Sequence, residues 1–168
     1  VSLYEATFDE RWIDEAVKLV ETIRTRFGDG EKSGFFYTAD DHEKLIARQK
    51  DFHDSSVPSG NGMVATVLTR LGKLCGRADY LADARGILDL AAELMEKSPS
   101  AAGQLLIALD MQSGPFFELA MLGDPSEAQT AAVLDAFWQK YLPNRVIACR
   151  VVLGRNLFRS HSSFDRKR

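Results

Sequence analysis

One stretch limits the possible folds more than any other. Met63, Val64, Ala65, Val67, Leu68, Leu71 and Leu74 crowd together so that a helix through them has almost no polar face. Such a helix belongs in the interior, with other elements around it. Pro58 and Ser59 mark its start and Gly76 its end. Its neighbours read differently. Trp12, Ile13, Ala16, Val17, Val20, Ile23 and Phe27 recur at helical spacing behind Asp9, a good cap, until Gly28-Asp29-Gly30 stops the helix. Tyr80, Leu81, Ala84, Ile87, Leu88, Ala91, Leu94 and Met95 share one face of a third helix that Asp79 would cap. Its back is polar. A fourth helix starts at Ser98 or Ser100 and is again largely apolar, through Leu105, Leu106, Ala108 and Leu109. The order is outer, inner, outer, inner. Antiparallel helices in two layers build a helical toroid or solenoid.

Two segments depart from the helical texture. Between the first two helices, Phe35-Phe36-Tyr37 reads as a short strand, and a second extended piece at 45–52 could pair with it. Asp40-Asp41-His42-Glu43 would be the turn of that hairpin. From Gly114 onward, residues 116–122 read as a strand, and Asp124-Pro125-Ser126-Glu127 reads as a helix start. That helix should run to about Tyr141, where Pro143-Asn144 breaks it, and residues 146–153 read as a second strand. Strand-helix-strand implies a parallel crossover. The expected organisation is a helical segment over 1–113, a strand-helix-strand unit over 114–153 and a disordered basic, Ser-rich tail over 154–168.

The chain has 168 residues, 45% of them hydrophobic, enough for one domain with a core. Its net charge of -3 argues against a nucleic-acid-binding surface. No apolar run reaches the ~20 residues of a membrane span. Cys75 and Cys149 lie far apart and have no metal-ligand spacing. They read as buried, reduced thiols of a cytoplasmic protein.

Four segments carry a family resemblance: LYEATFDERWIDEA, GFFYTADDHEKLI, DSSVPSGN and LLIALDMQSGPFFELAMLGDP. They resemble the C-terminal toroid region of the thioredoxin-domain-containing YyaL and spermatogenesis-associated protein family. The resemblance covers residues 3–153. It implies a mainly α fold, a partial (α/α)6 toroid similar to N-acylglucosamine 2-epimerases and six-hairpin glycosidases. A short β-hairpin insertion and the C-terminal strand-helix-strand unit would complete it. Where the family has Arg-Pro-Lys, this chain has Arg48-Gln49-Lys50. The thioredoxin-like domain with its CxxC motif and about half of the toroid are absent, so no redox activity and no cofactor are carried over. Those absent parts become expected partners, and homo-oligomerisation is the other expectation for an open arc of helices.

The polar residues concentrate at 34–63. Asp54 and Asn61 stand at the entry to the inner helix, where unpaired N–H groups and the helix dipole favour anions or sugar hydroxyls. With Asp40 and Arg48 they are the candidate substrate contacts, for a carbohydrate or sugar phosphate. Each has a plainer reading: Asp54 orders the loop, Ser59 caps the helix, and Asp40-Asp41-His42 is a solvated turn. His42 and His53 are the candidate acid–base groups for epimerisation, which needs a base on one face of a carbon and an acid on the other. No helical i,i+4 pair positions His42, His53, Asp41 and Asp54 as metal ligands, so no metal site is expected. Two functions follow. One is a carbohydrate-binding or sugar-converting, epimerase-like toroid domain. The other is a non-catalytic module that docks on a thioredoxin-like domain or on itself.

Overall fold

The computed structural model describes residues 1–41 and 47–151. His42, the middle of the expected hairpin and the basic tail with His161 therefore lie outside the described residues. The order is α1 (Ser2–Thr7), α2 (Arg11–Arg26), α3 (Gly60–Cys75), α4 (Ala78–Leu90), α5 (Ala92–Lys97), α6 (Gly103–Ser113), β1 (Phe117–Leu122), α7 (Ala128–Trp138) and β2 (Arg145–Arg150). The fold is mainly helical with a two-stranded sheet.

The apolar helix predicted at 58–76 is α3, and it is the hub. Ala65, Leu68, Thr69 and Leu71 are fully buried along it. It packs against both α4 and α6, and β2 reaches it as well. Two glycines permit the close approach. A Cβ at Gly62 would lie 3.0 Å from the Gln104 side chain of α6, and one at Gly72 would lie 2.9 Å from Leu81 of α4. Ser59 caps α3, its hydroxyl accepting from Gly62 N–H at 3.3 Å, and Gly76 closes it in the left-handed conformation (φ 65°). Tyr80, Ala84, Ile87 and Leu88 of α4 and Leu105 and Ala108 of α6 complete the core.

Several local expectations are corrected. A short α1 precedes the first predicted helix. Asp9 accepts from Arg11 N–H at 3.0 Å, but α2 begins only at Arg11. Asp79 is not the cap of α4: Arg77 holds that place, and its guanidinium grips Asp79 at 2.6 Å from outside. The third helix breaks at Ala91 into α4 and α5. Neither Ser98 nor Ser100 caps α6, which follows a 3-10 turn over Pro99–Ala101. Among the described residues the 34–52 segment forms no hairpin strands. It is pinned by one antiparallel bridge, Gly28 to Phe35, and by a 2.8 Å bond from Tyr37 N–H to the Gln49 carbonyl. Side-chain anchoring holds it instead of a ladder.

The strand-helix-strand unit forms, with β1 and β2 parallel and Phe117 opposite Arg145 through Leu122 opposite Arg150. Its helix starts later than predicted, because Asp124 closes a turn onto Ser126 (2.8 Å) before α7 begins at Ala128. Cys149 on β2 is buried and Cys75 is exposed, against the expectation of two buried thiols; both are free. No helix among the described residues is long and apolar enough to cross a membrane.

The position of α3 makes its centre the most sensitive part of the core. Leu68→Ala should lower unfolding free energy by about 2–5 kcal/mol, read as a reduced midpoint in urea at unchanged m-value.

Candidate functional site

The polar segment folds across the N-terminal end of α3, and its groups are held by specific partners. Asp54 has both carboxylate oxygens engaged. Oδ1 accepts from Ser59 N–H at 2.8 Å, at the start of α3, and Oδ2 accepts from Gln104 N–H at 2.7 Å, in the first turn of α6. Its own N–H donates to the Ala101 carbonyl at 2.8 Å. One carboxylate thus satisfies orphan donors at two helix starts, one of them fifty residues away from it in sequence. Partial burial alone would raise its pKa, but the Ser59 and Gln104 N–H groups outweigh that and hold the carboxyl below its ordinary value.

Asn61, the second residue of α3, is buried at 3% exposure. Its amide oxygen accepts from Phe35 N–H at 2.8 Å. Its amide nitrogen donates to the Phe35 carbonyl (2.9 Å) and the Asp51 carbonyl (2.9 Å). An Asn has two donors, and both are used here. The side chain acts like a strand partner for Phe35.

Arg48 is anchored in the same way. Its guanidinium donates to the Thr38 carbonyl at 2.6 Å and the Arg26 carbonyl at 3.1 Å, and it lies 4.2 Å over the Phe36 ring. Asp40 faces Arg26 at 3.6 Å, and Asp41 pairs with the same guanidinium. Lys50 reaches Asp29 at 2.7 Å and the Ser33 carbonyl at 2.6 Å, which pulls the Asp29 carboxyl down to about 2. His53 is exposed, with Nδ1 4.0 Å from Asp51.

Among the described candidates, Asp54, Asn61 and His53 do not line one common cavity. Asn61 borders an apolar cavity of about 240 Å³ with Ile23, Phe27, Phe36 and Val64. His53 borders an adjoining depression of about 500 Å³ with Lys50, the two cavities sharing Tyr37 and Asp51. Asp54 lines neither. Sequence reading also passed over Glu5 and Arg70, a buried ion pair at 2.6 Å that joins α1 to α3. Their separation of 65 residues left no local pattern to find.

Asp54 should behave as a double cap. Asp54→Ala is expected to cost about 1–3 kcal/mol in unfolding free energy, measured by urea denaturation at pH 7. The acid limb gives a second test. The folded-state carboxyl titrates below its unfolded value, so its stabilisation is complete above the unfolded pKa and is lost as pH falls through the folded one. Asp54→Asn should flatten the decline of stability between about pH 5 and pH 2 relative to the parent chain.

No family model matches the chain. It is 30% identical over 148 residues, 88% of its length, to spermatogenesis-associated protein 20 of Rattus norvegicus. The figure for the Homo sapiens protein is 29% over the same length. Uncharacterized protein B0495.5 of Caenorhabditis elegans is 22% identical over 144 residues, 86% of the chain. The chain spans 19% of the length of the rat protein and 20% of the worm protein, about a fifth of each. With the motifs quoted above, these matches identify the chain as a homologue of one part of spermatogenesis-associated protein 20.

Proposed function

We propose that this chain is a non-catalytic packing module, an arc of an (α/α)6 toroid whose apolar groove docks on further helices of a longer polypeptide. The observation that carries this reading is the groove between α2 and α3. Val20 and Ile23 of α2 face Met63, Val64 and Val67 of α3 across an apolar cavity of about 160 Å³, and the 240 Å³ cavity continues it past Phe35 and Phe36. Met63 is 44% exposed at its edge and Leu19 and Tyr37 are exposed nearby. An open apolar channel of this kind gains stability when a further element fills it. The remaining toroid half and the thioredoxin-like domain implied by the resemblance are the partners in this reading.

The polar residues support it from the other side. Asp54, Asn61 and Arg48 are bonded to backbone groups of their own fold, so sugar hydroxyls would have to displace those bonds. Sugar conversion would require a base and an acid facing one carbon. Of the two candidate groups, His42 lies outside the described residues, and His53 is exposed, 4.0 Å from Asp51.

In isolation the chain should bind a hydrophobic reporter dye and increase in mass with concentration in analytical ultracentrifugation. Met63→Glu should reduce both with the helical circular dichroism unchanged. Neutral mono- and disaccharides should leave the melting temperature where it is. A dose-dependent rise with a neutral sugar, abolished by His53→Ala, would replace this reading with the sugar-converting one.

A further inference from the structure

A second concavity lies on the far side of the α3 hub, where α1, α3 and α6 meet the connection from α7 to β2. Its volume is about 870 Å³, the largest of the cavities described here and within the range of small-molecule sites. Its floor is the Glu5–Arg70 pair, with side chains 8% and 23% exposed. Arg70 also donates to Ser2 Oγ at 3.2 Å, and Glu5 accepts from Ile147 N–H at 3.4 Å. The Glu5 carboxylate, the one carboxylate among the described lining residues, is thus neutralised and bonded from both sides.

The rim is different. Lys140 and Arg145 line the groove and have no carboxylate partner among the described residues. Most arginines and lysines on the helices are paired: Arg11, Lys18, Arg24, Arg26, Arg70 and Lys73 all are. Two unneutralised cations beside one cavity stand out in a chain of net charge -3. Arg145 is also pre-oriented. Its guanidinium lies 4.6 Å from the Trp138 ring and 4.9 Å from the Phe137 ring, and one N–H is fixed by the Lys140 carbonyl at 3.1 Å. A stacked guanidinium with donors to spare suits a multiply charged oxyanion. Tyr141 borders the same groove at 90% exposure, a large flat face turned to water. Such a face suits stacking on a ring.

We propose that this groove binds a phosphoryl group carried on a ring, with Arg145 and Lys140 holding the phosphoryl oxygens and Tyr141 covering the ring. A sugar phosphate and a mononucleotide share that chemistry. The proposal does not rest on the packing reading, since the two surfaces use different residues.

Isothermal titration calorimetry of the whole chain tests it, with glucose 6-phosphate, AMP, inorganic phosphate and glucose as probes. Saturable binding of glucose 6-phosphate or AMP is expected, weakened by added salt and at least about tenfold tighter than that of glucose or inorganic phosphate. Whichever of the two binds tighter identifies the ring. Lys140→Gln removes a side chain with no side-chain partner among the described residues, so its fold is secure, and it should weaken binding by about tenfold, as should Arg145→Gln. Tyr141→Ala should weaken the ring-bearing ligands and leave inorganic phosphate unchanged. No saturation by either phosphorylated probe overturns the proposal, as does affinity untouched by Lys140→Gln. Inorganic phosphate binding as tightly as both overturns the role of the ring.

Discussion

The architecture depends on one carboxylate. Asp54 sits between the starts of α3 and α6 and accepts one N–H from each neighbourhood, at 2.8 and 2.7 Å. Helix starts leave several N–H groups without partners and carry partial positive charge, so two of them brought together would repel without an anion between them. Asp54 supplies that anion and fixes where α6 lies against α3. The close contact of Gly62 with Gln104 is a consequence, because only a glycine lets the two helices meet at the distance this bridge sets.

The 34–61 segment shows the same economy of means. It has no sheet to hold it among its described residues, and side chains take over the backbone's partners. Asn61 pairs with both the N–H and the C=O of Phe35, and Arg48 with the carbonyls of Thr38 and Arg26. These anchors press Phe35 into the core next to α2 and α3. The polar richness that draws attention to this stretch in the sequence thus has a structural cause: a long irregular connection across a helix end has many backbone groups to satisfy.

The helices were legible because their signals are local. The apolar saturation around Leu68, the Ser59 cap and the Gly76 stop are each read from a few residues, and α3 appears where they place it. The strand-helix-strand unit was legible for the same reason, with its parallel partners now seen in register. Among the described residues 35–37 form no hairpin strand, because aromatic residues satisfy a strand pattern equally well when one of them is simply core. The caps of α4 and α6 were misread because a helix start is ambiguous where several Asp and Ser residues lie close together. For α6 the deciding oxygen belongs to Asp54, far away in the sequence.

The sequence by itself determined the main helices, which one of them is buried and where the chain changes from helical to strand-helix-strand texture. Those features follow from periodicity and from end signals within a turn or two. Only the tertiary structure decided what the polar residues do. Whether a carboxylate caps, pairs or faces an open groove depends on which donors reach it across tens of residues, as for Asp54 with Gln104 and Glu5 with Arg70. It also decided which cations are left without a described carboxylate beside them, as Lys140 and Arg145 are at their groove. Pairs within a helix, such as Glu15 with Lys18, follow from local spacing, but pairing between elements is set by distance in space.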